Sequence, residues 1–155
     1  MKEIAMKRRI LLSQVLTVVL LAGLTALAVC IPWIMRGYIT NFAYANSAAA
    51  EAAFGMIVAL CYCVLIPAYA AAGLMLKLLS RVRSGQIFSS PSSKIIQLIA
   101  ICCFAECAIF GLFTFYFAVS LGIAFCALFL GIALLVVADV ISVGTEIKTE
   151  NDFTV

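Results

Sequence analysis

Four long apolar runs, separated by short polar segments, dominate the pattern of this chain. The runs cover about residues 10–35, 52–76, 95–117 and 121–143. Each run can cross the roughly 30 Å hydrocarbon core of a bilayer as an α-helix, which takes about 20 residues. The pattern therefore predicts an all-α polytopic membrane protein, a bundle of four transmembrane helices arranged as two hairpins.

The composition supports this interpretation because the chain has little polar surface to offer. Hydrophobic residues make up 66% of its 155 residues, charged residues make up 11%, and the mean hydropathy is +1.24. Soluble domains carry about 25% charged residues, so this chain cannot coat a water-facing globule. We expect a single membrane domain over residues 1–155, without room for a separate soluble domain.

The basic residues predict how the chain is oriented in the membrane. The longest internal polar segment covers residues 77–94, and a polar tail covers residues 144–155. Of the ten basic residues, all except Arg36 fall in the N-terminal segment, the 77–94 loop or the tail. Cytoplasmic segments of membrane proteins carry an excess of Lys and Arg. We therefore expect both termini and the 77–94 loop to be cytoplasmic.

Small residues recur at every fourth position along the second predicted helix. Gly55 and Ala59 form one such pair, and Ala68 and Ala72 form another. Small residues at this spacing let two helix backbones approach closely inside a membrane. We expect another helix to pack closely against the second helix through Gly55 and Ala59.

Two polar segments carry motifs that are similar to those of a known family. Residues 83–89, Arg-Ser-Gly-Gln-Ile-Phe-Ser, are followed by Lys94, and the chain ends in Glu-Asn-Asp-Phe-Thr-Val. They resemble the Gly-x-x-Phe-Ser/Thr turn and the terminal Glu-Asn-Asp-Leu-Thr-Ile of a bacterial family of small four-helix membrane proteins of unknown function. The resemblance implies a multi-pass protein of the bacterial cytoplasmic (inner) membrane and no defined reaction. It also implies a small helix-turn-helix regulator as a candidate partner.

Glu106 is the strongest candidate for a functional side chain within the predicted spans. A carboxylate inside a bilayer costs at least a few kcal/mol, so such residues usually face the helix bundle or a cavity. Because no Lys or Arg lies in the four spans, we expect Glu106 to be protonated or hydrogen-bonded to Tyr62, Gln14 or Thr17. It would then be either a proton, cation or amine site or a neutral link between helices.

Asp139 lies about one turn from the predicted cytoplasmic end of helix 4. From this position an acidic side chain can reach the membrane interface and the basic residues Arg81, Arg83 and Lys94. We expect an interfacial salt bridge that holds helix 4 against the 77–94 loop.

The side-chain chemistry argues against an enzyme. The chain contains no histidine, which excludes Ser-His-Asp and Cys-His catalysis and His-ligated metals. Its seven cysteines all lie in apolar runs, where a free thiol packs as a small hydrophobe. Cys103, Glu106 and Cys107 share one face of helix 3, but there is no paired C-x-x-C set, so neither a metal nor another cofactor is expected.

These features favour a non-enzymatic regulatory or interaction protein that is embedded in the lipid bilayer. We expect the loop and tail to dock a cytoplasmic protein partner and not to bind nucleic acid directly. The docking candidates combine basic, acidic and apolar side chains: Arg81, Arg83, Phe88, Glu150, Asp152, Phe153 and Val155. The alternative is a small transporter or channel with Glu106 in its pathway, which requires a homo-oligomer because four short helices seldom enclose a path alone.

Overall fold

The computed structural model describes residues 2–38, 47–84 and 89–152, with side chains over 11–37, 54–84 and 89–147. Within these residues the chain forms four helices and no strand: α1 (Lys2–Tyr38), α2 (Ser47–Arg83), α3 (Ser90–Phe113) and α4 (Ser120–Asp152). All four helices are long and apolar enough to cross a membrane. The predicted all-α fold with four spans is confirmed.

The helices extend beyond the apolar runs at their polar ends. α2 continues through Arg83 and α4 through Asp152, so residues 77–83 and 144–152 are helical where the pattern placed a loop and a tail. An apolar run marks only the part of a helix that lies in lipid. Lys, Arg and Glu are good helix formers, so the same helices continue into the polar segments.

The third helix is shifted towards the N-terminus relative to the prediction. It begins at Ser90 and ends at Phe113, and hydrogen-bonded turns connect it to α4. Pro91 lies in its first turn, where a missing N–H leaves no helical hydrogen bond unmade. The serine-rich segment before residue 95 is therefore the start of a helix.

Each helix packs against its neighbours in chain order. α1 packs against α2, α2 against α3 and α3 against α4, and the α3–α4 contact is the most extensive. Among the described residues, no Cα atom of α1 comes within 8 Å of α4. The four spans therefore form an array of antiparallel neighbours, with α1 and α4 as its two edge helices.

An aromatic group joins α2 to α3 near the α3–α4 turn. Phe113 and Ile57 are buried against each other at its centre. The ring centroid of Phe113 lies 6.0 Å from that of Phe110 and 6.3 Å from that of Phe117. Tilted rings at these separations attract one another in addition to the area that they bury. This aromatic group holds α2 against α3 at the end of the array where α3 turns into α4.

A close contact at a small residue occurs between α3 and α4. A Cβ atom at Gly131 would lie 2.9 Å from a ring carbon of Phe104, so this glycine makes room for the ring. In contrast, nothing lies within 4 Å of the corresponding position at Gly55, and Ala59 is exposed. The expected close contact through Gly55 and Ala59 is therefore wrong within one chain, whereas Ala72 is buried.

Candidate functional site

The side chain of Glu106 is half-buried on α3, beside the half-buried Cys102, Cys103 and Cys107. At 1.5 Å per residue, it lies about 10 Å from the end of α3, nearer to the α3–α4 turn than to Ser90. Its carboxyl group makes no hydrogen bond or ion pair with any described residue. It is thus a lone acidic group inside a membrane span.

The residues expected to bond Glu106 instead serve α1. The hydroxyl of Tyr62 donates to the backbone oxygen of Ala28, with 3.1 Å between the two oxygens. Thr17 donates to the backbone oxygen of Ser13 at 2.8 Å. The predicted hydrogen bonds from these two side chains to Glu106 are therefore wrong.

Gln14 is half-buried on α1, and its amide makes no hydrogen bond in the described part of the chain.

A second tyrosine strengthens the contact between α1 and α2. The hydroxyl of Tyr69 donates to Oγ1 of Thr25 at 3.0 Å, and the hydroxyl of Thr25 donates to the backbone oxygen of Leu21 at 2.8 Å. Tyr62 and Tyr69 thus attach α1 to α2, while Glu106 and Gln14 have no partner among the described residues.

The thiols and carboxylates do not form a metal site in the described part of the chain. No three Cys, Asp or Glu side chains there lie close enough together to hold one ion. All seven cysteines are free. Cys61 faces an apolar groove of about 280 Å³ between α1, α2 and α3, lined also by Leu24, Ile31 and Phe110.

The last turns of α2 carry basic side chains, and we call Lys77, Arg81 and Arg83 the basic end of α2. Lys77 and Arg83 are exposed and Arg81 is half-buried. The hydroxyl of Ser84 donates to the backbone oxygen of Arg81 at 2.8 Å, which satisfies one of the free carbonyl groups at the helix end. Positive charge is favoured at the C-terminus of a helix, so the helix dipole stabilises these basic side chains at the end of α2.

Asp139 is exposed on α4 and makes no ion pair with any described residue. The expected salt bridge to Arg81, Arg83 or Lys94 is therefore not formed within the described residues. Next to Asp139, a buried hydrogen bond joins α3 to α4 instead. It runs from Oγ of Ser93 to the backbone oxygen of Ala138, at 2.9 Å.

Sequence reasoning did not identify the role of Ser93. Its only signal in the sequence is a serine in the first turns of a helix, beside a proline that fixes the start. A serine at such a position more often bonds its own helix. The structure shows that Ser93 bonds the neighbouring helix α4 instead, at a position where both Ser92 and Ser93 are buried.

The cytoplasmic end predicted for α4 is acidic, and we call Asp139, Glu146, Glu150 and Asp152 the acidic end of α4. Asp139 and Glu146 are exposed and lie seven positions apart, on one face of the helix. The helix itself continues through Asp152. The other docking candidates of the loop and tail, Phe88, Phe153 and Val155, lie outside the described residues, as do the side chains of Glu150 and Asp152.

One comparison with known proteins places the chain in a family. No curated protein and no solved structure matches it. A family model described as "Protein of unknown function (DUF2975)" matches residues 8–155, which is nearly the whole chain. The match agrees with the predicted resemblance to a family of unknown function. The chain, an integral membrane protein with four spans, therefore belongs to the DUF2975 family.

Proposed function

We propose that the protein is a non-enzymatic interaction or regulatory protein of the bacterial inner membrane, with both termini in the cytoplasm. Its basic end of α2 and its acidic tail would hold a cytoplasmic protein partner. The observation that carries the proposal is the basic end itself. Lys77, Arg81 and Arg83 continue a membrane helix and make no ion pair with any described acidic residue.

The length of α2 supports the emergence of this basic end from the lipid. A helix of 37 residues is about 55 Å long, against a hydrocarbon core of roughly 30 Å. The extra length carries the last turns of α2 out of the lipid as a rigid continuation of the span. Side chains on a rigid element lose less conformational freedom on binding than side chains on a flexible loop.

The charges indicate what the partner would present. Basic side chains on a helix end attract an acidic protein surface and speed its association. The tail adds acidic residues and two apolar ones, Phe153 and Val155, which suit a short linear motif in a groove. A small helix-turn-helix regulator is the candidate partner that the family resemblance suggests.

Crosslinking in native membranes tests this proposal. The intact chain, an Arg81→Glu/Arg83→Glu variant and a chain ending at Thr149 are captured, and bound proteins are quantified by mass spectrometry. We expect one cytoplasmic protein with the intact chain and at least a tenfold loss in both altered chains. An Arg81→Lys/Arg83→Lys variant keeps the charge and should retain the partner. If recovery is the same from all four chains, or only lipid is crosslinked, the proposal is wrong.

Glu106 favours a second candidate function, which is transport of a proton, cation or amine. A half-buried carboxyl group without a described partner inside a span is the kind of residue that marks a membrane pathway. Flux into liposomes that contain the purified protein separates the two functions. Transport predicts flux that Glu106→Gln abolishes, whereas the interaction function predicts no flux and unchanged partner recovery by the same variant.

A further inference from the structure

Asp139 is an exposed acidic residue near the end of a membrane span, a place where acidic side chains usually contact other protein groups. Its side chain is exposed on α4, and its neighbours on the outward side, Val136, Val140 and Val143, are 57%, 64% and 55% exposed. No described residue bonds or pairs with it. Ionisable residues within membrane spans usually face other protein groups and pair with one of them. This face of α4 is therefore a candidate contact surface.

α1 is the other edge helix, and it is the least covered of the four spans. Only 6% of the residues in its most apolar 18-residue stretch are buried, against 22% in the corresponding stretch of each of the other spans. Leu12, Leu16 and Val19 recur on one side of α1 and are 69%, 64% and 60% exposed. α1 and α4 lie at opposite edges of the array and do not approach each other within the described chain.

Hydrogen bonds within the chain place the start of α1 at the level of the acidic end of α4. The bond between Tyr69 and Thr25 aligns α1 with α2. Because the two helices are antiparallel, counting about three turns back from Thr25 on α1 corresponds to counting about three turns forward from Tyr69 on α2. At 1.5 Å per residue, Gln14 is then level with Ser80 near the end of α2.

The same counting extends across the other two contacts. The hydroxyl of Tyr116 donates to the sulfur of Met56, which aligns α2 with the end of α3. Ser80 is then level with the first turn of α3, where Ser93 bonds the backbone oxygen of Ala138. Asp139 is thus at about the depth of Gln14, within two turns of the basic start of α1.

Charge then selects the occupant of the exposed face. In the first turns of α1 the basic residues Lys2, Lys7, Arg8 and Arg9 outnumber Glu3, and in the last turns of α4 the acidic residues Glu146, Glu150 and Asp152 outnumber Lys148. Because α1 and α4 cross the membrane in opposite directions, the basic start and the acidic end lie on the same side. Opposite charges at the same depth on the two edges of one array are complementary between two copies.

We infer that a second copy of this chain packs its α1 against the exposed face of α4, with its basic start beside Asp139 and Glu146. The contact is head-to-tail, so each copy uses one edge to meet the α4 of a neighbour and the other edge to meet the α1 of a neighbour. Such contacts close into a ring when the rotation between copies allows it. The contact gives Asp139 a cationic neighbour at the membrane interface. It is independent of the proposed partner, which would bind the basic end of α2 and the tail.

Site-specific photocrosslinking in native membranes tests the contact. A photoreactive amino acid replaces Val136 on the exposed face of α4, and a control probe replaces Ile66, which is 71% exposed on the interior helix α2. We expect adducts between two chains from position 136, mapped to residues 2–20 of α1, and at least fivefold fewer from position 66. Adducts to lipid alone, to α4 of another copy or to a different protein would overturn the inference.

Charge reversal distinguishes this specific contact from random collisions. Asp139→Lys should lower the yield of the 136 adduct several-fold, and Arg9→Glu added to the same chain should restore it. A chain ending at Thr149 keeps Asp139 and Glu146, which the contact is proposed to use, so it should still give the 136 adduct even where it loses the cytoplasmic partner. The two proposals therefore fail separately. The thermal stability of each variant is measured in detergent, and adduct yields are compared only between variants whose stability equals that of the intact chain. If Asp139→Lys leaves the yield unchanged, the proposed pairing is wrong.

Discussion

Two tyrosines hold an otherwise poorly covered helix. Tyr62 and Tyr69 lie seven positions apart on α2, and each donates a hydrogen bond to α1. Lipid chains are as apolar as leucine, so apolar burial contributes little to the association of membrane helices. Only 6% of the residues in the most apolar 18-residue stretch of α1 are buried. α1 therefore depends on these hydrogen bonds more than the other helices depend on theirs.

Replacing Tyr62 and Tyr69 together by Phe should detach α1 more readily from α2. Hydrogen bonds between membrane helices contribute about 0.6 kcal/mol each on average, so the double variant should lose roughly 1 kcal/mol of unfolding free energy in a detergent titration. Tyr116→Phe is the control, because Tyr116 donates only to the weakly accepting sulfur of Met56 at 3.4 Å. An equal loss in the control would show that removal of any tyrosine hydroxyl, and not loss of the bond to α1, lowers the stability.

Gly131 and Gly55 are chemically the same residue in opposite surroundings. A Cβ atom at Gly131 would lie 2.9, 3.1 and 3.2 Å from three ring carbons of Phe104, whereas at Gly55 it would meet nothing within 4 Å. The first glycine therefore sets the distance between α3 and α4, and the second leaves a face of α2 open.

Gly131→Leu should destabilise the fold by about 1–3 kcal/mol, as expected for overpacking of a well-filled contact. Gly55→Leu should be neutral or slightly stabilising, since Leu is the better helix former. Thermal unfolding in detergent compares the two variants. Combining Gly131→Ala with Phe104→Ala should cost less than the sum of the single changes, because the second change removes the ring that the new methyl group meets. Additive losses would place the strain elsewhere.

Among the helices, α3 and α4 form the most closely joined pair, and a single buried bond fixes their register at one end. Oγ of Ser93 donates to the backbone oxygen of Ala138 at 2.9 Å, and both residues are buried. Hydrogen-bonded turns connect the two helices at the other end, and Phe104 packs on Gly131 between the two ends. The hairpin is thus held at both ends and near its centre.

Ser93→Ala should weaken this hairpin by about 0.5–1.5 kcal/mol, the usual net contribution of one hydrogen bond. The backbone oxygen of Ala138 keeps its helical bond, so the loss should remain at the low end of this range. Backbone amide exchange over the first turns of α3 measures the effect locally. Ser80→Ala, at an exposed position of α2, is the matched control and should leave exchange in α3 unchanged. Faster exchange in both variants would mean that the bond does not fix the register.

The spans were predictable because about 20 consecutive apolar residues suffice to identify a membrane helix. Their ends and faces were not. The basic end of α2 continues the helix, although a polar segment usually indicates a loop. A lipid-facing side and a helix-facing side are both apolar, so periodicity could not show that Gly55 faces outward or that Gly131 meets Phe104. The partner of Tyr62 on α1 depended on helix order, which sequence pattern does not specify.

For the molecule as a whole, the array has two edge helices, α1 and α4, and three charged helix ends, on α1, α2 and α4. α1 and α2 each have 37 residues and α4 has 33, which gives helices of about 50–55 Å against a core of roughly 30 Å. The excess length places charged turns outside the lipid. Because these turns are basic on α1 and α2 and acidic on α4, the surface that they form is polarised from one edge to the other.

Orientation in the membrane is the property on which the proposed cytoplasmic partner depends. The excess of Lys and Arg at the start of α1 and the end of α2 predicts that both termini are cytoplasmic. Alkaline phosphatase, which is active only outside the cytoplasm, should be inactive when fused after Asp152 and active when fused after Tyr38. Green fluorescent protein, which is fluorescent mainly in the cytoplasm, should give the opposite result at the same two positions.

A charge variant shows whether the basic residues cause this orientation. Changing Lys7, Arg8 and Arg9 to Glu removes most of the positive charge at the start of α1, while the 77–94 segment still favours the cytoplasm. We therefore expect a measurable fraction of the chain to give phosphatase activity after Asp152, and no such change for Arg36→Gln on the opposite side. If the intact chain is active after Asp152, the basic end of α2 lies outside the cytoplasm, where it cannot meet a cytoplasmic regulator. Contact between α1 and α4 would survive that result, because it requires only that the two helix ends share one side.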